Sequence, residues 1–137
     1  MEIPAIDRSN YLKGLLITAR KDNQLSESEK KIIRSIAERL GFASDFYEDT
    51  LKTLLANRYI LEDPIKFSNK KIAESFVSDG LKLAFSDKSE TNIEIDWLKK
   101  TSGINNLNEE WFDKKLTDCK NSSDLLVTND FALLSII

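Results

Sequence analysis

The first half of the chain carries apolar residues at helical spacing in three successive stretches. Ser9 is a favourable N-cap for the first stretch, and Ser26 and Glu29 have the spacing of a capping box at the start of the second. Gly41 follows the second stretch, where glycine commonly ends a helix, and Ser44 can cap the third. The sequence therefore predicts three amphipathic helices. Their apolar faces are formed by Tyr11, Leu12, Leu15, Leu16, Ala19, Ile32, Ile33, Ile36, Ala37, Leu40, Phe46, Tyr47, Leu51, Leu54 and Leu55.

The second half shows the same organisation after a break at Pro64, because proline disfavours helix in the residue before it. Ser68 can cap a longer fourth helix, and Thr91 and Glu94 form a second capping box. Gly103 is placed to end the helix that this box begins. Three further helices are therefore expected, the last of them after residue 107.

Asn108 can cap this last helix, and an apolar segment, residues 124–137, follows it. Helix and strand both remain open for this segment, because its composition suits either state. Its final seven residues would form an exposed apolar tail if they contacted nothing. We expect them to dock on the helices, with attachment to a partner protein, or to further chain beyond Ile137, as the alternatives.

The two halves match in sequence at a constant offset of 65 positions. The matched pairs are Tyr11 with Phe76, Leu12 with Val77, Leu16 with Leu81, Ala19 with Ala84, Asp22 with Asp87, Ser26 with Thr91, Glu29 with Glu94, Ile32 with Trp97, Ile33 with Leu98, Phe42 with Leu107, Phe46 with Trp111, Tyr47 with Phe112 and Leu51 with Leu116. Three helices, two capping boxes and an aromatic pair in one register indicate a duplicated three-helix unit, at about 11–51 and 76–116.

The match fails at two apolar positions, where Ile36 corresponds to Thr101 and Leu40 to Asn105. Together with Gly103, this predicts that the second-copy helix is about one turn shorter than its counterpart. A single copy of about 40 residues is too small to bury its own apolar faces. We therefore predict one all-α domain over residues 1–137, a bundle of six to seven helices in two pseudo-symmetric three-helix repeats plus a C-terminal segment.

Composition supports this fold and narrows the chemistry. The 137 residues are 41% hydrophobic and 31% charged, which is typical of a globular domain. The chain has no histidine and one cysteine, so it cannot assemble a Ser-His or Cys-His pair, a zinc finger or an iron–sulfur ligand set. Carboxylates and lysines are the remaining candidates for catalysis.

Charge and cysteine content predict the partners and the compartment. The net charge is −3, with both signs mixed along the chain, so we expect no nucleic-acid partner. A lone Cys119 fits a reducing compartment. No signal peptide and no transmembrane segment is apparent, so we expect a cytoplasmic protein. Nothing in the pattern predicts an oligomeric state.

Two acidic turns form the candidate metal sites. Asp22 and Asp87 end the first helix of each copy, where a carboxylate opposes the helix dipole, and Glu29 and Glu94 lie seven residues later. These four residues could supply oxygen ligands to Ca²⁺ or Mg²⁺. The alternative is architectural: each aspartate forms a turn and each glutamate closes its capping box. Neither loop has the glycine and final glutamate of an EF-hand.

The first turn and its neighbouring helix resemble a known family. Residues 19–29, with Asp22 in the turn and Ser26 to Glu29 as an acidic capping run, precede a helix that ends in Leu40-Gly41. This pattern resembles the TerB-like, tellurite-resistance-associated family, and it is similar also to the amino-terminal domain of membrane-anchored DnaJ-like co-chaperones. The resemblance covers about residues 11–116.

The resemblance implies an all-helical, pseudo-symmetric cytoplasmic module associated with tellurite and stress resistance. It also implies binding of a divalent metal and of partner proteins, without established catalytic activity. The chain departs from the family pattern at Asn23, where glycine is usual, and at Lys88, which places a positive charge beside Asp87. The Asp22 and Glu29 pair is therefore the better candidate site.

Three functions follow as hypotheses. The first is a non-enzymatic interaction or sensor module of a tellurite- or stress-resistance system, with a protein partner and with Ca²⁺ or Mg²⁺ as its only candidate cofactor. The second is a metal-dependent hydrolase that uses the same four carboxylates. The third is a regulatory domain of a larger complex, with the apolar C-terminus as its docking element. The aromatic residues Trp97, Trp111, Phe112, Phe46 and Tyr47 could form a recognition surface, although their helical spacing favours the core.

Overall fold

The protein folds into helices that follow the predicted order. The structure, a computed structural model, describes residues 3–20, 27–56, 63–85, 92–121 and 132–135. Within these ranges there are six α-helices, one 3-10 helix and no strand, which confirms the predicted all-α class. The elements are α1 (Ala5–Arg20), α2 (Glu27–Arg39), α3 (Ser44–Ala56), α4 (Lys70–Ala84), α5 (Asn92–Ile104), α6 (Glu109–Asn121) and the 3-10 helix Ala132–Ser135, called the C-terminal segment below.

The internal repeat is present in the helices. The first and last residues of α2 and α5 lie 65 positions apart, and the same is true of α3 and α6. Each half also has the same pairings: α1 packs on α2 and α3, which pack on each other, as α4, α5 and α6 do. The duplicated three-helix unit is therefore confirmed.

The two units join where α1 packs against α4. A Cβ atom at Gly14 would lie 2.5 Å from Cζ of Phe76, so only glycine allows this approach without movement of the ring. The Phe76 ring makes edge contacts with Tyr11 and Trp97, at centroid distances of 5.4 and 6.2 Å. Both units contribute to the same cluster of buried side chains.

The helices α2 and α5 end in the same way. Gly41 has a φ of +91° and Asn106, its counterpart, has a φ of +59°, so both adopt the left-handed conformation. The N–H of Phe42 donates to the carbonyl of Ala37 across this turn at 3.0 Å, and the equivalent bond in the second unit is 3.1 Å long. This is the Schellman arrangement, which satisfies carbonyls at a helix end.

The predicted shortening of the fifth helix is wrong. Gly103 lies inside α5, which has 13 residues, as α2 does. Asparagine tolerates the left-handed conformation, so Asn106 ends the helix where the pattern suggested Gly103.

The N-cap of α4 is Asn69 and not Ser68. The Asn69 side chain accepts a hydrogen bond from the N–H of Ile72 at 2.9 Å. Ser68 is one residue too early, and its N–H and hydroxyl instead both donate to the carboxylate of Asp7 in α1. The predicted cap is therefore wrong, and Ser68 forms a tertiary contact with α1 instead.

The start of α1 also differs from the prediction, whereas the Asn108 cap is confirmed. The helix begins at Ala5, so Ser9 lies within it. Pro4 precedes the helix and its carbonyl accepts from the N–H of Arg8, in line with the preference for proline at helix starts. Asn108 accepts from the N–H of Glu110 at 2.7 Å. The caps Ser26 and Thr91 lie outside the described residues, as do residues 124–131.

The segment between the units, residues 63–69, is held by a buried amide. The side chain of Asn105 accepts from the N–H of Phe67 at 2.8 Å and donates to the carbonyls of Ile65 at 2.7 Å and Thr101 at 2.8 Å. Asn105 and Thr101 are the two positions at which the repeat loses its apolar pattern. Asn105 thus supplies the partners that the backbone of the connecting segment needs, whereas the Thr101 hydroxyl donates to the carbonyl of Trp97 within α5.

Replacing Asn105 by leucine, the residue at the equivalent position of the first unit, should destabilise the protein. The substitution leaves the Phe67 N–H and the Ile65 carbonyl buried without this partner, at a cost of about 1–3 kcal/mol. Urea unfolding of wild type and of the variant measures the difference in their free energies of unfolding. Asn106→Gly is the control, because it alters the neighbouring asparagine without removing a buried bond and should be close to neutral. An Asn105→Leu protein as stable as wild type would contradict this role.

Candidate functional site

The predicted metal residues are only partly described. Glu29 and Glu94 lie in the first turns of α2 and α5, and each is 2% exposed. Asp22 and Asp87 lie outside the described residues. Among the residues that the structure describes, no group of three or more Asp, Glu, Cys or His side chains could hold a metal ion. The metal site at Asp22, Glu29, Asp87 and Glu94 therefore stays a prediction.

The burial of Glu29 and Glu94 fits the architectural alternative. A carboxylate in the first turn of a helix is favoured by the helix dipole and can accept from free backbone N–H groups. Both side chains have interaction partners in the fold. Because they are buried at equivalent positions, we interpret them as parts of the repeated helix start.

The described part of the molecule contains a different buried carboxylate, Asp79, which sequence reasoning missed. It lies in α4, is fully buried, and accepts a hydrogen bond from the Tyr11 hydroxyl of α1 at 2.5 Å. The same hydroxyl contacts Oγ of Ser75 at 2.8 Å. Ser75 and Asp79 are one helical turn apart, so both face Tyr11. The three side chains form a polar network inside the contact between the units.

Asp79 also binds the C-terminal segment. Its Oδ1 accepts from the N–H of Ala132 at 2.7 Å, and its Oδ2 accepts from the N–H of Leu133 at 3.2 Å. The Leu133 side chain is fully buried in the core. The expected docking of the chain end is therefore confirmed for residues 132–135. A side chain of α4 acts here as the cap of a short helix far away in sequence.

The neutral form of the Asp79 carboxyl group is more favoured inside the folded protein than it is in water. Burial raises the pKa of the Asp79 carboxyl, and the hydrogen bond from Tyr11 is the largest of the opposing effects. Burial, followed by the charge of Asp79, raises the pKa of Tyr11 well above its ordinary value. The phenol therefore remains a donor at any physiological pH.

A sequence signal for Asp79 existed but was weak. Ile72, Phe76 and Leu83 are buried along one face of α4, and Asp79 falls in the same helical phase. A charged residue in an apolar phase indicates a buried polar contact. The offset of 65 positions hid this signal, because it pairs Asp79 with Gly14.

Of the five aromatic residues that were candidates for a recognition surface, some are buried in the core and others lie at the surface. Trp97, Phe112 and Tyr47 are buried, as their helical spacing predicted. Trp111 is half-buried, whereas Phe46 is 51% exposed. Phe46 and Trp111 are equivalent in the repeat, so the same position in each unit places an aromatic ring at the surface.

Phe46 borders a groove of about 380 Å³ between α1 and α3. The groove is lined by Leu12, Phe46, Ser9, Lys13, Asp49 and Thr50, among others. The Phe46 ring stacks on Phe42 with a centroid distance of 5.2 Å. Ile6, at 69% exposure, belongs to the same helix as the α1 wall of the groove.

A cleft of about 190 Å³ occupies the equivalent place between α4 and α6. It is lined by Lys71, Glu74, Ser75, Ser78, Trp111 and Lys115. The positions that correspond between groove and cleft are Ser9 with Glu74, Lys13 with Ser78, Phe46 with Trp111 and Thr50 with Lys115. Ala132 of the C-terminal segment also borders the cleft.

Cys119 of α6 is half-buried, and burial raises the pKa of its thiol. A raised pKa lowers the thiolate fraction, so this thiol is not activated as a nucleophile.

Comparison with known proteins finds no match: no family model, no curated protein and no solved structure aligns significantly with the chain. The TerB-like resemblance therefore stays a prediction from the motif. Across the described residues, no helix is long and apolar enough to cross a bilayer.

The raised pKa of Asp79 predicts an unusual pH dependence. In the folded protein the carboxyl binds a proton at pH values where the unfolded chain does not, so this group contributes stability that grows as the pH falls. Wild type should gain stability relative to Asp79→Asn, which does not titrate, as the pH is lowered from about 7 towards about 4. Urea unfolding of both proteins across this range measures the difference. A constant difference, or one that grows at high pH, would contradict the assignment.

The two interpretations of Glu29 make different predictions for Glu29→Ala. As a cap, the residue contributes about 0.5–1 kcal/mol, and the loss should be the same with and without millimolar Ca²⁺ or Mg²⁺. This is the result that we expect in thermal unfolding. Glu27→Ala is the control, since Glu27 lies in the same first turn but is exposed. A melting temperature that rises with the ion in wild type and not in Asp22→Asn would instead establish the metal site.

Proposed function

We propose that this chain is a non-enzymatic protein-interaction module, and that the groove between α1 and α3 receives an apolar helical segment of a protein partner. The observation that carries the proposal is Phe46, a large aromatic side chain that is 51% exposed at the edge of an apolar groove. Aromatic residues in pockets commonly dominate binding energy at protein interfaces.

The composition of the groove suits a protein ligand. Leu12 forms a buried apolar floor beside Phe46, while Lys13 and Asp49 at the edge carry opposite charges. An apolar centre with a polar rim is the common anatomy of a protein interface. The mixed rim gives no preference for a strongly charged ligand such as a nucleic acid.

The second unit indicates what kind of ligand the groove receives. The equivalent cleft between α4 and α6 borders Ala132, which belongs to a short apolar helical segment of the same chain. The fold therefore already places such a segment beside this location in one unit. A segment of similar chemistry from another protein is the matching ligand for the first unit.

The cellular setting is taken from the sequence. A single cysteine and the resemblance to the TerB-like family favour a module of the cytoplasm that takes part in tellurite or stress resistance. Binding of Ca²⁺ or Mg²⁺ at the acidic turns remains a separate hypothesis, and the Glu29 measurements test it.

The hydrolase alternative has less support. Glu29 and Glu94 are each 2% exposed, so a substrate in solution could not contact them in this conformation. A catalytic acid or base must come within hydrogen-bond distance of the group on which it acts. The buried carboxylate of Asp79 is likewise engaged by Tyr11 and by backbone N–H groups.

Affinity capture with the tagged full chain from its native cytoplasm tests the proposal. Phe46→Ser should reduce recovery of a specific partner by about tenfold or more, since an anchoring aromatic contributes about 2 kcal/mol or more to binding. Ile104→Ser is the matched control, because Ile104 is an exposed hydrophobic residue of α5 outside the groove. Both variants should remain folded, with similar and small decreases in melting temperature, because each replaces a partly buried apolar side chain. Equal recovery of the same proteins by wild type and Phe46→Ser would refute the groove as the binding surface.

A further inference from the structure

We infer that the surface of α4 around Asp79 is a second peptide-binding site, which holds the chain's own C-terminal segment and can instead hold a similar apolar helical turn from another protein. This site is separate from the groove at Phe46. It is built on α4 of the other three-helix unit with support from Tyr11 of α1, and it uses none of the residues that line the groove.

The site recognises its ligand mainly through the backbone. The two carboxylate oxygens of Asp79 accept from the successive N–H groups of Ala132 and Leu133. Free N–H groups of this kind are present at the start of any helical turn, so this contact does not depend on the ligand's side chains. Selectivity comes from Leu133, whose side chain is fully buried. The site therefore accepts a helical turn with an apolar residue at its second position.

The site is organised without the ligand. Tyr11 of α1 donates to the Asp79 carboxylate and contacts Ser75, so two helices fix the position of the acceptor. None of these three residues belongs to the C-terminal segment. A site that is already formed loses little conformational entropy when a ligand binds.

The bound segment can leave while the helices stay folded. It is a single turn of four residues, and α4 is the element that it chiefly contacts. Release returns water to the Asp79 carboxylate, which offsets part of the lost hydrogen bonding. Short segments of this kind open independently of the whole protein in many folds. Exchange with a competing ligand therefore does not require global unfolding.

The neighbouring cleft adds a preference for charge. Among the residues that the structure describes, Ala132 lines it together with Lys71, Lys115 and one acidic residue, Glu74. Two ammonium groups against one carboxylate favour a ligand with an acidic residue shortly before the apolar turn. The chain's own sequence has this pattern, with Asp130 two residues before Ala132. The ligand is thus an acidic residue followed by an apolar turn.

A labelled synthetic peptide of residues 128–137 tests the inference by fluorescence anisotropy with the full chain. Ala132→Pro removes the N–H that donates to Asp79, while proline is tolerated at the first position of a helical turn. The peptide should bind the Ala132→Pro chain about tenfold more tightly than wild type, because the tethered segment competes less well.

Adding Asp79→Asn to the Ala132→Pro chain should remove this binding. Asparagine has only one acceptor oxygen, so in either orientation its NH₂ group, a donor, faces one of the N–H donors of the ligand. One of the two hydrogen bonds can then not form. The control is Asp96→Asn in the same background, which alters an exposed aspartate of α5 and should leave affinity unchanged. Circular dichroism melting establishes that each chain is folded. Equal peptide affinity for the wild-type and Ala132→Pro chains, absence of binding to both, or binding that is insensitive to Asp79→Asn would overturn the inference.

Hydrogen exchange of the unmodified protein provides a test that needs no variant. The amides of Ala132 and Leu133 should exchange faster than those in the centre of α4, since the segment opens while the helices stay folded. Exchange of these two amides only at the rate of global unfolding would show that the segment is a permanent part of the core, and would also overturn the inference.

Discussion

The close packing of α1 against α4 is the contact on which the other contacts depend. Gly14 allows the ring of Phe76 to approach the backbone of α1, and the ring then meets Tyr11 and Trp97. Helix α1 also packs against α2 and α3, and α4 packs against α5 and α6. The Tyr11 hydroxyl reaches Asp79 across the same contact. The shared core and the polar network of Tyr11, Ser75 and Asp79 thus both follow from one close approach.

Two departures from the repeat have a common physical cause. Asn105 and Asp79 are buried polar residues, and the first unit has Leu40 and Gly14 at the equivalent positions. Asn105 binds the backbone of residues 65–67, and Asp79 binds the backbone of residues 132–133. Non-helical segments have no internal ladder of hydrogen bonds, so side chains from the helices must supply the partners. Duplication explains the helices, and these two residues explain how the connecting and terminal segments are attached.

The sequence predicted the helices well because their signals are local. Periodicity and the offset of 65 positions identified the repeated units, and Asn108 was recognised as a cap from its position alone. The errors have two origins. Ser68 makes a distant contact with Asp7 instead of capping α4, whereas the end of α5 was misplaced locally, because Asn106 and not Gly103 adopts the left-handed conformation. The Asp79 contacts were missed because they too are distant in sequence: its partners lie 68 positions before it and 53 positions after it.

The attachment of residues 63–69 has a consequence for the independence of the two units. Asp7 of the first unit binds Ser68, and Asn105 of the second unit binds Ile65 and Phe67, so both units fix this connection. A fragment with one unit only would keep either Asp7 or Asn105 and would leave the other backbone groups of the segment without these partners. The two units therefore depend on each other through their connection as well as through their shared core, and neither three-helix unit is expected to fold alone.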